Sequence, residues 1–130
     1  MKMKAQSSME FFVLVGLAFL AVVLFAAISA NEVKEFRDQK EFFLIKDLAL
    51  KLQKEVTLAT DAEDGYARSF TLPEELENIV DYFIQIRNNT ITINSSKTTI
   101  SFAIVNVTGD FTKGSNKIEK KNNGRIYINT

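Results

Sequence analysis

The chain has no cysteine, no histidine, no tryptophan and a single proline, Pro73. Without cysteine there is no disulfide and no thiolate metal site. Without histidine the commonest general base and metal ligand is gone. Proton transfer near neutral pH would fall to carboxylates, lysine, tyrosine or hydroxyls. Composition therefore argues against an enzyme, and no residue set reads as catalytic, metal-binding or cofactor-binding. An excess of one charge is missing too: 16 Lys and Arg balance 16 Asp and Glu. No basic surface argues for nucleic acid. Glycine is scarce, and Gly16 is the only one among the first 64 residues. Early in the chain, neither breaker interrupts a helical pattern.

What is present is unevenly spread. Residues 11–30 carry no charge at all. As a helix, such a run crosses a hydrocarbon core of roughly 30 Å. Lys2 and Lys4 precede it, and a mixed set follows: Asn31, Glu32, Val33, Lys34 and Glu35. The positive excess on the N-terminal side keeps that side cytoplasmic and places the rest outside the membrane. Three readings of the run compete. A secretory signal cut near Ala27-Ile28-Ser29-Ala30 fits the small residues there, but the run is longer than an ordinary apolar region of that kind. An uncleaved anchor explains length and orientation but gives Glu10 no role. The third reading cuts before the run rather than after it.

That third reading draws on the most residues. Lys4-Ala5 is followed by Gln6, Ser8, Glu10 and Leu14, the spacing Q-x-S-x-E-x-x-x-L. The segment resembles the processing site of archaeal type IV pilin-like proteins, which carry a class III signal peptide. Ala5 stands where Gly is commonest in bacterial relatives. The resemblance implies that a membrane-embedded prepilin peptidase cuts between Ala5 and Gln6, with Ala5 in its pocket and Lys4 marking the cytoplasmic face. Gln6 becomes the first mature residue, and Glu10 the fifth. In related filaments the acid neutralises the new amine of a neighbouring subunit, so Gln6 and Glu10 are the expected assembly residues. Read without the resemblance, Glu10 is a solvated interfacial acid, and Ser7 or Ser8 are N-caps.

Past the apolar run the helical period persists. Phe42, Ile45, Ala49, Leu52, Val56 and Ala59 recur at three- and four-residue steps, and Leu48 widens the stripe. Lys40, Lys46, Asp47, Lys51, Lys54 and Glu55 fill the opposite face. Gly65 is the natural stop. One helix from about Ser7 to about Asp64 is expected, roughly 85 Å long. Its first half is apolar all round and wants lipid or other helices; its second half wants a sheet on one face.

From residue 66 the period becomes two. Val80, Tyr82, Ile84 and Ile86 alternate with Asp81, Phe83, Gln85 and Arg87, then Ile91 and Ile93 with Thr90, Thr92 and Asn94, then come Ile100, Phe102 and Ile104, and finally Ile126 and Ile128. Asn88-Asn89 offers a turn. Gly109-Asp110 and Gly114-Ser115-Asn116 mark loops. Residues 69–72 add another strand before Pro73. The expected head is an antiparallel sheet of four or five strands on the second half of the helix. Glu74, Glu75 and Glu77 read as the acidic start of a short helical turn. Asp61, Glu63 and Asp64 lack the ordered spacing of a calcium loop and read as a solvated helix end. Lys117, Lys120 and Lys121 read as a solvated edge. Asn88, Asn94 and Asn106 each open an Asn-X-Ser/Thr triplet and are candidate glycosylation acceptors.

The expected fold class is therefore α+β: a long N-terminal helix with a small antiparallel β head on its C-terminal half, a pilin-like lollipop. Its domains are a leader (1–5), an apolar transmembrane or assembly helix (6–30), an amphipathic continuation (31–64) and a β head (65–130). The resemblance implies a non-enzymatic filament subunit, its head serving surface adhesion. Its partners would be copies of itself, the prepilin peptidase, an assembly ATPase with its membrane platform, and the membrane before assembly. Before processing it would be a single-pass membrane protein with a cytoplasmic N-terminus; afterwards, part of an extracellular filament. A monomeric anchored binding module and a minor pilin are the alternatives.

Overall fold

The computed structural model describes residues 2–130, with side chains from Gln6 onward. Of the predicted leader residues, Lys4 and Ala5 lie outside the side chains described. A single helix, α1 (Lys2–Asp61), runs for 60 residues. It starts earlier than the sequence pattern indicates and stops three residues sooner. The stop is made by Lys120, whose Nζ donates to the carbonyls of Thr60 and Ala62 at 2.8 Å each. These carbonyls have no partner within the helix, and a cation suits the negative end of the helix dipole. Gly65 then reverses the chain at φ +94°, a conformation that favours residues without Cβ.

The chain divides into two compact parts, Met1–Asp38 and Gln39–Thr130. In the first, nearly every described side chain of the helix is exposed. Phe11, Phe12, Phe19 and Phe25 are all more than 60% exposed. No side chain within this part could cover them, because the part is one helix. By length and composition α1 can cross a membrane, and its most apolar window is unburied.

The second part is the head, and it begins at Gln39 rather than after the helix. Seven strands follow: β1 (Ala67–Leu72), β2 (Tyr82–Arg87), β3 (Thr90–Ser95), β4 (Thr99–Ala103), β5 (Val107–Thr108), β6 (Gly114–Lys120) and β7 (Ile126–Ile128). They form two sheets where one was expected. One sheet is the meander β2-β3-β4, and the other has the order β1-β6-β7-β5. All pairings are antiparallel except that of the two-residue β5 with β7. The β2–β3 hairpin closes on the expected Asn88-Asn89 turn. Both residues have positive φ, 48° and 59°, as a two-residue turn matching the twist of the strands requires.

The core joins one face of α1 to both sheets. Ile45, Leu48, Ala49, Leu52, Val56 and Ala59 are buried in one cluster with Leu72, Ile84, Ile91, Ile93, Ile118, Ile126 and Ile128. The period-two strands supply alternate residues to it, and the rest face water. Four expectations are corrected. Phe42 is 43% exposed, off the stripe to which its spacing assigned it. Glu55, placed on the solvent face by its charge, is buried. Residues 114–116 open β6 instead of forming a loop, since Leu72, Thr71 and Phe70 pair with them. Glu74, Glu75 and Glu77 start no helical turn: Glu77 and Asn78 have positive φ, and Leu76 bridges Val80.

Leu52 is fully buried, whereas Leu50 is 53% exposed. Leu52→Ala should destabilise the head by about 2–5 kcal/mol and Leu50→Ala by less than about 0.5 kcal/mol. Urea unfolding of the detergent-solubilised chain, followed by circular dichroism, distinguishes the two.

Candidate functional site

The predicted processing and assembly residues lie on α1 and are described from Gln6 onward. Gln6, Ser8, Glu10 and Leu14 are all exposed. Because Gln6, Glu10 and Leu14 are spaced by four, they share one stripe of the helix, while Ser8 faces elsewhere. Among the described residues no hydrogen bond or ion pair engages Glu10. With α1 beginning at Lys2, Glu10 sits in the third turn and cannot be an N-cap of the uncut chain. An acid held at the start of an apolar run, without a partner among the described residues, is costly wherever the dielectric is low. Gly16, two residues past Leu14, has open space where a Cβ would stand.

The head contains a second set of buried polar groups. Glu41 is 8% exposed and holds the turn between β3 and β4. Its Oε1 accepts hydrogen bonds from Ser95 Oγ at 2.5 Å, Ser96 Oγ at 3.1 Å and the Lys97 amide at 3.1 Å. The Ser95 hydroxyl above all, with the Lys97 amide and Ser96, holds the Glu41 carboxyl below its ordinary pKa against the opposing effect of burial. Glu55 Oε2 lies 3.1 Å from Arg68 Nε on β1 but makes no aligned hydrogen bond. Asn116 is buried at the heart of the β5–β7 region. It accepts from the Thr112 amide and Asn129 Nδ2, and donates to the carbonyls of Thr112 and Gly114. Burial pushes the Tyr82 phenol up to about 12, so it stays protonated and donates to the Pro73 carbonyl.

Glu41, Asn116 and Tyr82 are satisfied by the fold itself and read as structure, whereas Glu55 Oε2 has the Arg68 ion pair but no hydrogen bond. Among the described residues no cluster of three acidic side chains has metal-binding geometry. The cleft beside Glu74 and Glu75 is lined by Pro73, Asn78, Asp81 and Lys113 and opens to solvent. Lys113 there pairs with Asp81. Lys120, expected at a solvated edge, is instead the cap of α1. Sequence reasoning missed Glu41 altogether; the signal is only that an acid lies one turn before the buried Ile45.

The three candidate glycosylation acceptors differ. Asn88 and Asn106 are exposed, in the β2–β3 turn and between β4 and β5. Asn94 is half-buried within β3. Comparison with protein-family models, curated proteins and solved structures finds no match to this chain. The functional reading therefore rests on the residues themselves.

The Glu41 clasp predicts an acid-sensitive head. A carboxyl whose folded-state pKa is depressed contributes stability that is fully present above its ordinary pKa of 4.5 and is lost as the pH falls through the lowered value. Asp81 and Glu119 are also held low, by Lys113 and Lys117 beside them, so a variant is needed to isolate Glu41. Between pH 6 and pH 3 the thermal midpoint of Glu41→Gln should fall less steeply than that of the parent chain. Parallel curves in a differential scanning experiment would remove Glu41 from the account.

Proposed function

We propose that this chain is a structural subunit of an archaeal type IV pilus-like surface filament, processed before Gln6 and assembled through its N-terminal apolar helix. The observation that carries the reading is Glu10. It is exposed on a membrane-length helix, has no partner among the described residues of its own subunit, and is the fifth residue after the predicted cut. Residues 11–30 lack any charge that could anchor them in water, and the phenylalanines among them are uncovered. A lipid bilayer or a layer of identical helices satisfies such a surface.

Cleavage between Ala5 and Gln6 removes Lys2 and Lys4 and creates an α-amino group on Gln6. Glu10 then lies at the start of the second turn of the shortened helix. In the filament this carboxylate meets the Gln6 amine of an adjacent copy. Two opposite charges 4 Å apart at an effective dielectric near 20 attract by about 4 kcal/mol, and removing either leaves the other uncompensated. The charges thus fix axial register, which the uniform apolar surface alone does not. The exposed head serves surface adhesion. A prepilin peptidase, an assembly ATPase and its membrane platform are the implied partners.

N-terminal sequencing of the protein from its native envelope should begin at Gln6. A start at Met1 would identify an uncleaved anchor, and a start near Asn31 an ordinary secreted protein. Glu10→Ala should leave that start unchanged while lowering filament yield by at least about tenfold, scored by electron microscopy of sheared cells. Filaments at the parental level would sink the charge pairing.

A further inference from the structure

We infer that the head carries N-linked glycans at Asn88 and Asn106 and leaves Asn94 bare. This rests on the reading above only in requiring that the head be exported. All three asparagines open Asn-X-Ser/Thr triplets, the acceptor pattern of exported proteins. Residues 88–130 hold eight Asn and eleven Ser or Thr, so the triplets alone carry little weight. The fold separates them.

Asn94 is locked. It lies in β3, the central strand of its sheet, paired with Phe83 on one side and Thr99 on the other. Its Oδ1 accepts a hydrogen bond from Thr99 Oγ1 at 2.9 Å. The hydroxyl of its triplet, Ser96 Oγ, donates to buried Glu41, as does the intervening Ser95. A transferase must grip both the acceptor amide and the hydroxyl two residues on. Here it would have to break each of these bonds and lift β3 out of two ladders. Each buried partner left behind, Glu41 above all, raises the cost.

Asn88 and Asn106 are exposed. Thr90 of the first triplet is half-buried as the first residue of β3 and Thr108 of the second is the last of β5, but neither hydroxyl is engaged by a hydrogen bond among the described residues. Asn88 is the first residue of the two-residue β2–β3 turn, and Asn106 lies between β4 and β5, with Thr108 of its triplet exposed as well. Neither side chain is held by a hydrogen bond among the described residues. The two sites lie at one end of the β2-β3-β4 sheet, because the Ile104 amide donates to the Asn89 carbonyl at 2.8 Å. The Glu41 clasp grips the other end of β3, about 17 Å away along the strand. Two glycans would therefore cover one end of the sheet and leave the clasped end uncovered.

The transfer joins the Asn Nδ2 to the anomeric carbon of a polyprenyl-phosphate-linked oligosaccharide, the co-reactant the host supplies. The bond from that carbon to the lipid phosphate oxygen breaks, the lipid phosphate leaves with the electron pair, and the amide loses one proton to a base of the transferase. No oxidation or reduction occurs.

Site-resolved mass spectrometry of glycopeptides from the protein purified from its native envelope tests this without any substitution. Occupancy is expected at Asn88 and Asn106, with Asn94 below about a tenth of either. Comparable occupancy at Asn94 overturns the inference. Thr108→Ala, an exposed change that spares the fold, should abolish the glycan at Asn106 alone; its persistence there counts against the assignment. Protease treatment of intact cells reads export separately. Bare Asn88 and Asn106 on a protease-accessible head overturn the inference alone. Bare sites on a protected head overturn it together with the export it rests on.

Discussion

Two small sheets and one half of a helix share a single apolar interior, and neither sheet has another. Leu52, Ile45, Ile91, Ile93, Ile118 and Ile128 are all fully buried in it, although they come from α1, β3, β6 and β7. A three-stranded meander and a four-stranded sheet with a two-residue edge strand are too small to bury their own faces. The helix supplies the missing layer, so it must remain helical well beyond any membrane. That requirement explains why the chain holds no proline before Pro73 and why the head starts at Gln39 instead of at the end of α1.

The polar contacts follow from the same constraint. A helix laid on two sheets leaves its end carbonyls and the sheet turns near an apolar interior, where unpaired groups are expensive. Lys120 meets the carbonyls at one end, and Glu41 meets the β3–β4 turn at the other. Gly109 shows how tightly the remaining loops close. A Cβ there would lie 1.9 Å from the Ile128 carbonyl oxygen, at φ +104°, so that crossing admits only glycine.

Elements set by local pattern were legible in the sequence. The helix follows from the absence of breakers and the 3.6-residue period, and the β2–β3 hairpin follows from alternation around Asn88-Asn89. The division into two sheets was not legible. It depends on β1 pairing with β6, from Ala67↔Glu119 to Leu72↔Gly114, across more than forty residues with no local signal. The buried acids were illegible for a related reason. Glu55 and Glu41 look solvated until Arg68, Ser95 and Ser96 are brought to them by the fold. Of the candidate site, the sequence pattern supplied Gln6, Ser8, Glu10 and Leu14, and the structure adds their exposure and the absence of a partner for Glu10 among the described residues. The pattern could not rank the three glycosylation triplets, because accessibility belongs to the sheet and not to the triplet.

The clasp and the cap also have a mechanical meaning. Tension applied along α1 acts parallel to the interface that Ile45, Leu48, Leu52, Val56 and Ala59 make with the sheets. Many contacts then bear load together, whereas a force lifting one end would break them in turn. Glu41 and Lys120 pin the two ends where such lifting would start. A head held in this way resists being stripped from its helix by drag, a property useful to any tethered domain exposed to flow.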